Sequence, residues 1–138
     1  DIKKGLDFLR KADVVMGSRY PDGTIIGWPI GRRIFSFLAN LLARTLISWS
    51  IADYTNGYRF YSKKAASYMC QISQKHKGYI YLSETLTYFL KKEYTIFSFP
   101  IVFVNRERGK SNTNIKEILS AFTGILSIAW LYRFGPRI

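Results

Sequence analysis

Apolar and polar positions along the chain switch between a helical and a strand period. Leu6, Phe8, Leu9 and Ala12 close a short helical pattern, and the run Asp13-Val14-Val15-Met16-Gly17-Ser18 reads as a buried strand entering a loop. A helix followed by such a strand points to α/β architecture. Tyr20, Pro21, Asp22 and Gly23 have turn chemistry, and the loop is expected to run on through Gly27, Pro29 and Gly31, about a dozen residues in all. From residue 32 to about 49, Ile34, Leu38, Leu41, Leu42, Leu46 and Trp49 recur at three- and four-residue spacing, which predicts a long amphipathic helix. Arg32, Ser36, Asn40 and Arg44 fall on another stripe of that helix. A turn is predicted at 53–57, a short strand at 58–61, a helix at 63–71 and, after Gly78, another at 82–91. Residues 95–104 are a β-branched and aromatic run that Pro100 puts at a sheet edge or bends. A polar stretch at 105–114 leads to a last helix with Ile115, Ile118, Leu119, Phe122, Ile125, Leu126 and Ala129 on one face.

Composition narrows what such a chain can be. Its 138 residues suit one domain or part of one, and 48% hydrophobic with 17% aromatic residues is too much apolar surface for a disordered chain. Cys70 stands alone, so no internal disulfide forms; with the single His76 it leaves too few soft ligands for a structural zinc site. Any bound metal would need carboxylates. Twenty-one basic against nine acidic residues give a net charge of +12, which attracts nucleic acid, anionic lipid headgroups or phosphorylated substrates, or simply solvates the surface. The aromatics do not follow the pattern of RNA-binding strands, so nucleic acid is not expected as a partner.

Neither an initiator methionine nor a signal-peptide pattern is present, and the chain is expected to begin inside a longer protein. The longest uncharged runs, twelve residues at 94–105 and fifteen at 118–132, fall short of the roughly 20 a spanning helix needs. The last helix either lies in a membrane interface, with Trp130, Tyr132 and Arg133 at headgroup depth, or packs on a protein domain.

Candidate chemistry gathers in arginine-bearing loops. Gly17-Ser18-Arg19-Tyr20, the start of the long helix with Arg32, Arg33 and Ser36, and the turn from Asp53 to Arg59 supply planar guanidinium groups, a hydroxyl and a carboxylate. Guanidinium groups bind phosphate through two donors at once, so Arg19 and Arg32 form a plausible clamp, with Ser36 one helical turn beyond Arg32. The segment from Arg106 to Ser111 adds donors around Gly109 but lacks Walker spacing. Each residue taken singly also reads as ordinary surface, and Asp53 as a turn-forming side chain.

In combination these segments resemble a known family. Asp-Val-Val-Met-Gly-Ser-Arg-Tyr at 13–20 is followed by Gly-Trp-Pro-x-x-Arg-Arg-x-x-Ser-x-x-Ala-Asn at 27–40 and Asp-x-Thr-Asn-Gly-Tyr-Arg-x-Tyr at 53–61. With Phe-Pro-Ile-x-Phe-Val-x-Arg-x-x-Gly-x-Ser at 99–111, the series resembles the polyprenol-phosphate (dolichol-phosphate) mannosyltransferases of the family-two glycosyltransferases. The resemblance, which runs from about Ala12 to Ser111, implies an α/β fold with residues 1–114 as the C-terminal part of a GT-A-type, Rossmann-like domain; residues 115–138 are expected from their own pattern to form an amphipathic, membrane-interfacial helix and tail. It implies inverting, metal-dependent transfer of mannose from GDP-mannose to polyprenyl or dolichyl phosphate, at the cytoplasmic face of a membrane whose anionic surface is a partner.

By the same resemblance Arg19, Arg32 and Ser36 hold the acceptor phosphate, Asp53 is catalytic, and Arg106 and Ser111 contact the donor diphosphate. Magnesium or manganese would be held by an Asp-x-Asp motif expected upstream of Asp1; this chain has none, so alone it is expected to be inactive. Asn112 departs from the lysine common in the family at that place. Glucosyl or aminosugar transfer to undecaprenyl phosphate, and a noncatalytic basic module binding membrane or nucleic acid, remain alternatives.

Overall fold

The computed structural model describes residues 1–105 and 115–135, with the backbone alone at Tyr79 and at 115–118. In chain order the elements are α1 (Ile2–Phe8), β1 (Val14–Ser18), β2 (Thr24–Ile26), α2 (Ile30–Leu46), β3 (Arg59–Tyr61), α3 (Lys63–Met69), α4 (Tyr79–Lys91), β4 (Ile96–Pro100), β5 (Val102–Val104) and α5 (Ile115–Phe134). The apolar run before Ser18 becomes the centre of a three-stranded mixed sheet ordered β3-β1-β4. β3 pairs antiparallel, with Val14 opposite Tyr61, and β4 pairs parallel, with Val14 opposite Ile96. All five residues of β1 are buried because both edges are paired and both faces covered.

Strand alternation divides the core in two. Val14 and Met16 point into the larger half with Ala39, Ala43, Tyr54, Leu86, Phe89, Ile125 and Ile128; Val15 points into a smaller half with Phe99 and Ile101, against Phe8 and Leu9. Three layers result: α1, the sheet, and the remaining helices. Gly17 is required where β1 meets both neighbours, since a Cβ there would lie 2.7 Å from Ile101 and 2.9 Å from Tyr58.

The expected long loop after Tyr20 contains β2, which pairs parallel with β5, Thr24 opposite Val102. Pattern alone misses it because its residues are mostly exposed. The single strand read at 95–104 is two, broken at Ile101, whose N–H still bonds Ser18 O at 3.0 Å. Past β5 the clasp is completed by Asn105, whose N–H donates to Ile26 O (2.9 Å) and whose Nδ2 donates to Gly27 O (3.1 Å).

An amphipathic helix ordinarily turns its apolar stripe inward. In the first half of α2 the opposite holds: Ser36, Ala39, Asn40 and Ala43 are buried, whereas Ile30, Ile34, Phe37 and Leu38 are 46–76% exposed; farther along, Leu42 and Leu46 of the expected stripe are half-buried against the core. α5 splits the face expected to meet a membrane. Ile125 and Ala129 are in the core with Ile128, and Phe122 packs on Phe35 with ring centroids 6.1 Å apart, leaving Leu119, Leu126, Trp130 and Phe134 exposed. Tyr132 is half-buried against the core. Arg133, though exposed, donates to Leu46 O (3.0 Å) and Thr45 O (3.4 Å), satisfying carbonyls at the end of α2. No helix among the described residues is long and apolar enough to cross a membrane.

Candidate functional site

At the C-terminal end of β1 the chain delivers Arg19 beside the turn that precedes β3. Both side chains of the Arg19–Asp53 pair are buried, at 6% and 0% exposure. Arg19 Nε donates to Asp53 Oδ2 (2.8 Å), Nη2 to Oδ1 (2.8 Å), and the Arg19 backbone N–H to Oδ2 (3.0 Å). Thr55 adds its N–H (3.2 Å) and hydroxyl (3.3 Å) to Oδ1. Burial alone would raise the Asp53 carboxyl, but the hydrogen bonds and charge of Arg19, with the Thr55 N–H, hold it below the usual carboxylate range. Asp53 is therefore ionised at neutral pH, with its oxygens already taken by donors.

The turn carrying Asp53 is itself pinned. Asn56 Nδ2 donates to Gly17 O at 2.7 Å, and the half-buried Arg59 spreads its guanidinium over three carbonyls: Asn56 (2.9 Å), Leu82 (2.7 Å) and Tyr54 (3.0 Å). From α2, Asn40 Oδ1 accepts the Tyr54 N–H at 2.7 Å. The strand β1, helix α2 and the start of α4 thus converge on one turn.

Arg32, at the start of α2, lies over the Trp28 ring at 4.2 Å from its centroid, and Arg19 lies 5.1 Å from the same centroid. Trp28 brings the two guanidinium groups into one cluster, an arrangement that cation–π attraction favours. Around it, Ser36 Oγ, Trp28 Nε1 and Tyr20 OH are buried with no hydrogen-bond partner among the described residues. Buried polar atoms are nearly always paired, and Arg44 Nε and Tyr68 OH, away from this cluster, are unpartnered as well; the three atoms beside the two arginines are donors available to an acceptor-rich group. Beside them opens a cleft of about 410 Å³ lined by Arg19, Tyr20, Ile25, Arg33, Ile34 and Phe37 among others. Arg33 also lines this cleft, and its guanidinium donates to Ile25 O.

Of the six site residues expected from the sequence, Arg19 and Asp53 are ion-paired, Arg32 joins Arg19 across Trp28, and Ser36 is buried one turn past Arg32. Arg106 and Ser111 lie outside the described residues. Trp28, Asn40 and Thr55 stood in the quoted motifs without a role. Their contacts join segments distant in sequence, which residue spacing does not encode. No group of three or more His, Cys, Asp or Glu side chains suited to a metal occurs among the described residues, and Asp53 has no lone pair to spare, so the residues described do not form the expected magnesium or manganese site.

Over 112 residues the chain is 33% identical to the polyprenol monophosphomannose synthase of Mycolicibacterium smegmatis, a match covering 78% of this chain and 42% of that protein. It is 32% identical over 107 residues to the undecaprenyl-phosphate mannosyltransferase of Micrococcus luteus, covering 77% of the chain and 44% of the relative. The chain is homologous to polyprenyl-phosphate mannosyltransferases. It spans less than half the length of these mannosyltransferases. No protein-family model matches it.

Proposed function

We propose that the full-length protein carrying this chain transfers mannose from GDP-mannose to the phosphate of a polyprenyl or dolichyl lipid, with inversion, on a GT-A-type domain. The observation that carries this reading is the set of buried, unpartnered donors on Ser36, Trp28 and Tyr20 around Arg19 and Arg32. A phosphate supplies the acceptors these donors lack. The apolar wall of the adjoining cleft, Ile25, Ile34 and Phe37, suits a hydrocarbon attached to that phosphate. The mannosyl acceptors in the names of both relatives have this chemistry.

In the reaction, a phosphate oxygen of the lipid attacks the anomeric carbon, the bond from that carbon to the donor diphosphate breaks, and nucleoside diphosphate departs. A phosphate monoester with a second pKa of about 6 is mostly dianionic at neutral pH, so it needs positioning more than deprotonation. Arg19, Arg32 and Ser36 supply that positioning. Asp53 acts by orienting Arg19 and by contributing negative charge near the reacting centre, because its oxygens are engaged and its low pKa makes it a weak base. Arg106 and Ser111 are assigned to the departing diphosphate. Dependence on magnesium or manganese belongs to the same reading, with ligands outside the residues described.

The exposed apolar stripe of α2, the exposed residues of α5 and the net charge of +12 support attachment to an anionic membrane surface, at its cytoplasmic face in this reading. Incubating the full-length protein with labelled GDP-mannose and a short polyprenyl phosphate tests the activity. Mannosyl phosphopolyprenol is expected. Transfer from another nucleotide sugar alone would correct the donor, and failure to bind any polyprenyl phosphate would refute the acceptor assignment.

A further inference from the structure

Asn40 lies in the middle of α2, 3% exposed, on the stripe that also carries Ser36. A polar side chain so placed normally loses stability to desolvation unless its hydrogen bonds are made. Here they are, and they run in one direction. The Tyr54 N–H can only donate, so it fixes the acceptor Oδ1 of Asn40 on its side, 2.7 Å away, and turns Nδ2 toward Ser36 O (2.9 Å) and Thr55 Oγ1 (3.2 Å). Thr55 Oγ1 also accepts from Arg19 Nη2 at 2.6 Å and donates to Asp53 Oδ1 at 3.3 Å. That hydroxyl has one proton and two lone pairs, all three in use.

We propose that Asn40 and Thr55 are positioning residues that lock Arg19 and the Ser36 turn of α2 into one frame, so that both address the same phosphate. The inference rests on the acceptor-phosphate reading above and adds what keeps that site assembled. Arg19 comes from the end of β1 and Ser36 from α2, and the relay through Thr55 and Asn40 ties the two directly. Losing one link lets the arginine and the serine drift relative to each other while the Arg19–Asp53 pair stays closed.

The test uses the full-length protein with Thr55→Val, Thr55→Ser, Asn40→Ala and Asn40→Asp. Thr55→Val keeps shape but removes the hydroxyl, and it is expected to raise the KM for a short polyprenyl phosphate by about tenfold while the KM for the nucleotide sugar moves by less than about twofold. Thr55→Ser restores the wild-type value. Asn40→Ala and Asn40→Asp are expected to act in the same direction, and combining either with Thr55→Val to add little, since both break one chain of bonds. A second readout is hydrogen exchange at the Arg19 Nη2 protons by NMR, one of which loses its acceptor with the Thr55 hydroxyl and is expected to exchange faster in Thr55→Val with no ligand present. If both KM values rise together, or if Thr55→Val leaves the acceptor KM and the Arg19 exchange unchanged, the relay does not position the site. Should the wild-type protein transfer no sugar to polyprenyl phosphate, the functional reading falls, and the Arg19 exchange alone decides the relay. Asn40 variants that fail to fold leave that decision with the half-buried Thr55.

Discussion

Arg19 donates three hydrogen bonds to Asp53 where both side chains are buried, and this makes the two arginines of the cluster unequal. Removing Arg19 leaves a buried carboxylate uncompensated, an effect of about 3 to 5 kcal/mol for such pairs. Arg19→Ala is thus expected to lower the thermal midpoint well before any acceptor effect can be read. Arg32 is half-exposed and held by stacking on Trp28, so Arg32→Ala should leave the midpoint nearly unchanged and raise the acceptor KM by about tenfold, as for one charge-assisted contact. Calorimetry beside steady-state kinetics separates the two, and equal losses of stability would contradict the asymmetry. Acid sensitivity follows from the same pair. The folded pKa of Asp53 is depressed, as is that of Asp13 through its Thr95 hydrogen bonds and Lys64. Groups of this kind add stability that is complete above the unfolded value, near 4, and lost as pH falls through the folded value. The urea midpoint is expected to stay level from pH 7 to about 5 and to drop below about pH 4. A midpoint level down to pH 3 would mean that the pair does not form.

Among the elements, α2 repays comparison with its own sequence. Its period, length and two stripes are legible from residue spacing, and so are β1, the turn at 53–57 and the helices that follow it. What spacing does not reveal is which stripe faces inward. Ala39 and Ala43 let the helix approach the core closely and Asn40 finds partners there, so Ile30, Ile34, Phe37 and Leu38 are left outside while Leu42 and Leu46 stay half-buried. Similarly, Arg19 and Asp53 are each recognisable as candidates, but a bond between residues 34 apart leaves no periodic trace. β2 escapes notice for a related reason: its stabilisation comes from β5, a partner far along the chain. An inverted helix has a measurable signature. Ile30→Asp with Leu38→Asp is expected to change stability by less than about 0.5 kcal/mol, because both positions are exposed and an acid at the first turn suits the helix dipole. Ala43→Leu, at a fully buried site, should destabilise by about 1 to 3 kcal/mol. Urea unfolding of the two variants checks the orientation, and the reverse ranking would show that α2 buries its apolar side.

For the whole molecule, charge and apolar exposure act together. A net charge of +12 and a stripe of exposed apolar residues should give binding to anionic vesicles that salt weakens and that the Ile30→Asp, Leu38→Asp pair weakens further. Sedimentation of the full-length protein with vesicles measures this, and retention indifferent to both treatments would point to an anchor elsewhere. The clasp between β2 and β5 bears on how the two proposed ligands would affect one another. It closes at Gly27 and Asn105; one residue beyond Gly27 stands Trp28, and one beyond Asn105 the chain continues to the arginine assigned to the diphosphate. Under the proposed function, two ligands whose binding residues adjoin one clasp are expected to be coupled. Each is expected to alter the apparent affinity of the other, and thermodynamic linkage requires the factor to be the same in both directions. Asn105→Ala should bring that factor toward one while leaving each ligand's separate affinity nearly intact, turning a coordinated pair of substrates into two strangers.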